Sequence, residues 1–214
     1  MLTVHHLGVS QSERIVWLCE ELGIPYDLKI HTRDPLTRLS PPELAAMHPL
    51  GAAPVITDGD VLLAESGAVM EYIIHKHGGG RLALGPDHPD YAQYLYWFHF
   101  ANSTLQPVLM RNMVLARAKL PPDTPVVMAQ KGRLERALKM LDTHLHEVDW
   151  LAGSEFTAAD IMIVFSLTTM RQFQQYDLAP YEGIVAYLHR VGGRPAYLRA
   201  MRKGDPGMAP MLVP

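Results

Sequence analysis

A single cysteine in 214 residues excludes a whole class of chemistry. Cys19 alone cannot form an intrachain disulfide, a C-x-x-C redox pair or a cysteine-ligated zinc site, and a chain built without disulfides is expected in the reducing cytoplasm. Positive charge is short as well. The 19 Lys and Arg stand against 22 Asp and Glu, a net charge of −3. There is no basic surplus to neutralise a nucleic-acid backbone, so no nucleic-acid partner is expected. Long hydrophobic runs are also missing: the most obvious one, 161–165, falls well below the ~18 residues that cross a bilayer, so no membrane partner is expected. The opening Met1-Leu2-Thr3-Val4-His5-His6 has neither a basic segment nor a long apolar stretch, and no secretory signal is expected from it. With 48% hydrophobic residues, the chain can build one or two domains with a sizeable core.

What is present divides into two halves. From 2 to about 77, short strand and helix signals alternate. A β-branched and apolar run at 2–7 stops at Gly8, and Ile15, Leu18, Cys19 and Leu22 then recur at helical spacing up to Gly23 and Pro25. Tyr26, Leu28 and Ile30 alternate as a strand. A short helix is expected near 42–47, then a hairpin whose strands flank Asp58-Gly59, a pair suited to a tight turn, and then a helix over 66–77. The Gly/Pro-rich stretch 79–88 reads as a linker. Beyond it only helices are expected. One covers 91–118 with a kink at Pro107, and another starts at Thr124-Pro125 and carries Leu134, Leu138, Leu141 and Leu145 on one stripe. Ile184, Tyr187, Leu188 and Val191 mark a further helix, and a last short one runs from Arg194-Pro195 to about Met201. The expected organisation is an α/β domain at 1–78, the linker, an all-α domain at 89–203 and an irregular tail at 204–214.

Several short motifs stand out in order along the chain. They are Ser10-Gln11-Ser12-Glu13-Arg14; His48-Pro49-Leu50-Gly51-Ala52-Ala53-Pro54-Val55; Glu65-Ser66; Phe156-Thr157-Ala158-Ala159-Asp160; and Arg194-Pro195-Ala196. With them the chain resembles the cytosolic glutathione transferases along nearly its whole length. The spacing of Ser10 to Arg14 is similar to that of the serine-type members, such as the theta and delta classes. The resemblance implies a thioredoxin-like first domain that binds glutathione, a helical second domain that holds an electrophile, and a homodimer. It implies glutathione as co-substrate, with no tightly bound cofactor and no metal.

Read locally, Ser10 and Glu13 form an S-x-x-E capping box, so Ser10 is an ordinary capping serine or, as the resemblance implies, the hydroxyl that holds a thiolate at a helix N-terminus. Ser12 is the fallback for that role. The sulfur of glutathione would be the nucleophile. A free thiol titrates near ~8.5, and each unit of depression represents ~1.4 kcal/mol of thiolate stabilisation, within reach of one charge-assisted hydrogen bond and a helix end. Ala53-Pro54 is either a trans-proline edge strand or, by resemblance, a cis bond that leaves Ala53 backbone atoms to pair with the glutathione backbone. Glu65 and Ser66 begin an ordinary helix or, by resemblance, hold the γ-glutamyl end. Many relatives have a basic residue where this chain has Ala52, which leaves Arg38 or His48 to hold the glycyl carboxylate.

Thr157 and Asp160 read as a structural capping box, with Asp160→Ala expected to cost ~1 to 2 kcal/mol. In the helical domain the aromatic-rich helix reads as core by its residues, while the resemblance implies an electrophile pocket for which Tyr94, Trp97, Asn102, Met110 and Met113 are the candidates. His75 with His77, and His144 with His146, are spaced i, i+2 and point about 200° apart on a helix, which makes poor chelates, so solvated histidines are expected. Cys19 is expected to be inert packing. The function expected is conjugation of reduced glutathione to small hydrophobic electrophiles. The alternatives are another glutathione-dependent enzyme, an isomerase or peroxidase, on the same scaffold, or a non-catalytic glutathione-binding regulator.

Overall fold

The computed structural model describes residues 1–213; Pro214, the last residue of the expected tail, lies outside the described residues. The chain divides into two compact units. The first is built on a four-stranded sheet in the order β2-β1-β3-β4. Strand β1 (Leu2–Leu7) pairs in parallel with β2 (Asp27–His31) and antiparallel with β3 (Val55–Asp58), which pairs antiparallel with β4 (Val61–Ala64). Parallel neighbours need a crossover, and α1 (Glu13–Leu22) supplies it. Short α2 (Pro42–Ala45) and α3 (Ser66–Lys76) complete the βαβ, α, ββα order read from the sequence. In the hairpin, Asp58 pairs with Val61, so the two central turn residues are Gly59 and Asp60, one place later than expected. Gly59 has φ +60, the positive value this turn position requires and glycine supplies without a Cβ clash.

The helical layer of this unit departs from the expected domain boundaries. The first unit takes in Met1–Ala83 and also Arg194–Pro210, so α9 (Pro195–Gly204) does not belong with the helical domain. Its sequence explains why. Arg194 makes two bonds to Glu21, at 2.7 and 2.8 Å, Arg199 and Lys203 both reach Glu20, and Tyr197 sets its ring edge-on to Trp17 at 4.8 Å. The acidic residues of α1 and the basic residues of α9 thus pair over an aromatic contact.

The second unit spans Leu84–Gly193 and the chain from Met211. Helix α4 (Tyr91–Phe100) passes through a π-helical turn, Ala101–Leu105, into α5 (Gln106–Arg117). Pro107 lies in the first turn of α5, so the kink expected at proline takes the form of a π turn just before it. Helix α6 (Pro125–Glu147) begins at Thr124 as expected, and α8 (Glu182–Gly192) buries Ile184, Tyr187, Leu188 and Val191 completely. Every residue of α7 (Ala158–Leu167) is buried. Its capping box forms as read, but Asp160 does more than cap. Its carboxylate accepts the N–H groups of Leu151 and Thr157, at 2.9 Å each, and the hydroxyls of Thr157 and Tyr187. The expected irregular tail is tied down in part: Arg171 donates to the carbonyls of Met211 and Val213. Among the described residues no helix is long and apolar enough to cross a membrane, and no three His, Cys, Asp or Glu side chains cluster as a metal site.

Candidate active site

The loop from Gly8 to Ser12, between β1 and α1, is held on both sides. Asp205, just past α9, accepts the Val9 N–H at 2.8 Å, while Arg33 donates to the carbonyls of Gly8 and Val9 at 3.1 Å each. Val9 has φ +52, unusual for a β-branched residue and sustained here by those three bonds. Ser10 follows and is buried, with 6% of its surface exposed. The N-cap position of α1 falls on Ser12 rather than Ser10. Ser10 Oγ instead accepts the Ser12 N–H at 3.2 Å and lies 2.7 Å from Ser12 Oγ. Ser12 turns back toward the sheet, where its Oγ accepts the Leu7 N–H and contacts His6 Nδ1 at 2.9 Å.

Residues far apart in sequence meet beside this loop. Gln11 donates through Nε2 to the Ala53 carbonyl at 3.3 Å and accepts from Arg14 at 3.1 Å, and the same Arg14 nitrogen reaches Ser66 Oγ at 3.4 Å. Arg14 is completely buried, which pushes its guanidinium down to about 9 against the opposing field of Glu13, so it is still a cation at neutral pH. The Ala53-Pro54 bond is cis, and Ala53 is buried. Glu65 is exposed, with φ +70 at the N-cap of α3, and the buried Ser66 opens that helix. A buried cation thus joins the helix-one loop, the cis-proline loop and the start of α3, whose dipole favours an anion.

Other sequence candidates fall elsewhere. Arg38 is exposed at φ +62, and its backbone carbonyl accepts from Arg33; His48 accepts the Leu50 N–H through Nδ1. Neither side chain bonds to the Ser10 cluster among the described residues. In the helical unit Tyr94, Trp97 and Met113 are buried core residues, Asn102 lies in the π turn, and Met110 is 40% exposed. A pocket of about 870 Å³ in that unit is lined instead by Tyr96, His99, Phe100, Arg111, Arg136, Met140 and their neighbours. The histidines expected to be solvated differ: His75 and His146 are exposed, although His146 Nδ1 also bonds the Asp142 carbonyl at 2.8 Å, and the other two are partly buried. His77 bonds Asp58 at 2.7 Å, and His144 bonds the Leu151 carbonyl and stacks on Trp97 at 4.5 Å. Cys19 is fully buried, as expected of a packing residue, and that burial pushes its thiol up to about 12.

Two side chains of the cluster carried no sequence signal. His6 sits beside His5 in a strand buried along nearly its whole length, and Asp205 lies 199 residues beyond it, yet their side chains meet at 3.2 Å. Arg33 likewise carries no motif of its own, and Gln11 stands within the Ser10–Arg14 motif without a role that the motif assigns.

Family models match both parts of the chain: the glutathione S-transferase N-terminal domain over residues 5–81 and the C-terminal domain over 100–195. The curated glutathione S-transferase 3 of Schizosaccharomyces pombe is 30% identical, over 95% of this chain and 88% of its own length. The chain belongs to the glutathione S-transferase family. Glutathione S-transferase 1 of Saccharomyces cerevisiae is 25% identical over 95% of each chain. Among solved structures, a glutathione S-transferase from Actinobacillus pleuropneumoniae superposes with a TM-score of 0.87 at 31% identity over 99% of both chains. A family member from Pseudomonas fluorescens, solved with two glutathione bound, has a TM-score of 0.78 at 21% identity over 94% of this chain and 92% of its own. In this glutathione S-transferase, the Ser10, Ala53-Pro54 and Ser66 cluster lies wholly within the match to the N-terminal domain.

Proposed function

We propose that this enzyme conjugates the thiol of reduced glutathione to small hydrophobic electrophiles, with Ser10 in contact with the sulfur. The observation that carries the reading is the Gln11–Arg14–Ser66 bridge. It draws the Ser10 loop, the backbone of Ala53 and the amides opening α3 into one place beside a buried cation. Each part suits one part of the tripeptide. The Ala53 backbone takes its backbone, the N-terminus of α3 with Ser66 and Glu65 takes the γ-glutamyl end, and the Ser10 hydroxyl takes the sulfur. Relatives crystallised with glutathione support the same ligand. With Ala52 in place of a basic residue, the glycyl carboxylate falls to Arg38 or His48. The electrophile falls to the helical unit, where Asn102 and Met110 keep surface accessible. A homodimer in the cytoplasm completes the reading.

The test pairs a calorimetric titration with glutathione and a conjugation assay on an activated aryl halide. Binding together with turnover that collapses in Ser10→Ala is expected. Absence of glutathione binding overturns the reading, and binding without turnover in the wild type points instead to a regulator.

A further inference from the structure

The hydrogen-bonded chain behind Ser10 extends beyond what a simple thiolate donor requires. It runs from Ser10 Oγ to Ser12 Oγ at 2.7 Å, from Ser12 Oγ to His6 Nδ1 at 2.9 Å, and from His6 Nε2 to Asp205 Oδ2 at 3.2 Å. Ser12 and His6 have no exposed surface, and Asp205 has 8%. The second Asp205 oxygen is anchored by the Val9 N–H. Gly204 permits the approach, since a Cβ at that position would stand 3.0 Å from His6 Nε2.

A count of hydrogens sets the direction of the chain. A carboxylate only accepts, so Nε2 donates to Asp205, and in the neutral form of the ring that leaves Nδ1 as an acceptor. Ser12 has one hydroxyl hydrogen, and Nδ1 at 2.9 Å takes it ahead of the Leu7 carbonyl at 3.4 Å. Ser12 cannot also donate to Ser10, so in the 2.7 Å contact Ser10 is the donor. The Ser10 hydrogen therefore points inward. Of its two lone pairs, one takes the Ser12 N–H and the other remains for a ligand.

We propose that His6 is the final acceptor of the glutathione thiol proton, reached through Ser10 and Ser12 and oriented by Asp205; this rests on the reading that Ser10 contacts the sulfur. In the step, the S–H bond breaks as its proton passes to Ser10 Oγ. The Ser10 proton passes to Ser12 Oγ, and that of Ser12 passes to His6 Nδ1. The products are a thiolate and an imidazolium beside the Asp205 carboxylate, with protons and charge conserved and no outside base. The chain is then reversed: Nδ1 donates to Ser12, Ser12 to Ser10, and Ser10 to the thiolate. Ser10 thus accepts before transfer and donates after it. It is the catalytic residue, and Ser12, His6 and Asp205 are positioning residues that act through it. The other charged or titratable groups bearing on His6 are Arg33, coupled electrostatically to Asp205, and His31 of β2, coupled to His6 itself.

The test counts protons. Glutathione is titrated into the wild-type enzyme near pH ~7.5 in buffers of different ionisation enthalpy, while thiolate is read by ultraviolet absorbance. The expected result is thiolate formation with far less than one proton released per thiolate. In His6→Gln, which can bond Ser12 but cannot hold the proton, release rises to about one per thiolate and kcat/KM falls about tenfold, with glutathione Kd within about threefold of wild type. Ser12→Ala severs the chain in front of His6 and gives the same pattern, which serves if His6→Gln does not fold. A full proton released per thiolate in the wild type overturns the relay and leaves the Ser10 reading standing. Saturating glutathione without any thiolate signal overturns the Ser10 reading and the relay with it.

Discussion

Two buried polar clusters begin from nearly the same sequence signal and end as different devices. Ser10-Gln11-Ser12-Glu13 and Thr157-Ala158-Ala159-Asp160 both read as capping boxes ahead of a helix. In the second unit the box closes on itself. Thr157 caps α7, and Asp160 meets four donors from Leu151, Thr157 and Tyr187, so its acceptor sites are filled from within. In the first unit Ser10 sits two residues before the N-cap and bonds a second hydroxyl, with acceptor capacity to spare. A saturated network stabilises, whereas one with an unfilled position can meet a ligand.

That contrast is broken most severely by Ser10→Ala. Loss of the hydroxyl is expected to lower conjugation by about 10²- to 10³-fold while costing only about 1 kcal/mol of stability, checked by aryl-halide kinetics and urea unfolding. Asp160→Ala should do the reverse. With four buried bonds lost, the cost rises to about 2 to 4 kcal/mol, above the cost of a cap alone, while activity per folded molecule is retained. Normal stability with lost turnover in that variant would exchange the two roles.

The same carboxyl gives a pH signature. Burial raises Asp160 from 3.8 to about 6, against the pull of its hydrogen bonds. The folded state therefore holds a proton that the unfolded state has released. The stability this group adds is complete below about 3.8 and is lost as pH rises through about 6. The gap in unfolding free energy between wild type and Asp160→Ala should narrow from pH ~4 to pH ~7.5; a gap that widens contradicts the assignment. A smaller perturbation is Gly204→Ala, whose Cβ presses on the His6 ring, for an expected cost of about 1 to 2 kcal/mol in thermal unfolding. Smallest of all, Cys19 should resist alkylation in the native enzyme and react only on unfolding, as its buried thiol is pushed up to about 12.

Local signals carried most of the fold. Helical spacing, the proline and glycine stops and the Asp58-Gly59 region placed the elements of the first unit, apart from a one-residue shift in the turn. The motif residues Ser10, Ala53-Pro54 and Ser66 were each visible from a few neighbours. Their wiring was not, because it depends on side chains brought together by the tertiary fold. Arg14 served only as a spacing mark in the sequence, yet it is the buried cation that joins three segments. His6 was hidden because both faces of β1 are covered, which removes the alternation that would single out a polar position. Asp205 was hidden because nothing local says that α9 returns to the first unit. That placement depends on the pairing of Glu20 and Glu21 with Arg194, Arg199 and Lys203.

The most direct test of Ser10 as the group that meets the sulfur is the titration of glutathione bound to the wild type and to Ser10→Ala, followed by thiolate absorbance across pH. A bound thiol about one to two units below its free value near ~8.5 in the wild type, returning to that value in Ser10→Ala at similar glutathione affinity, is the predicted result. Identical thiol titrations in the two proteins would contradict it.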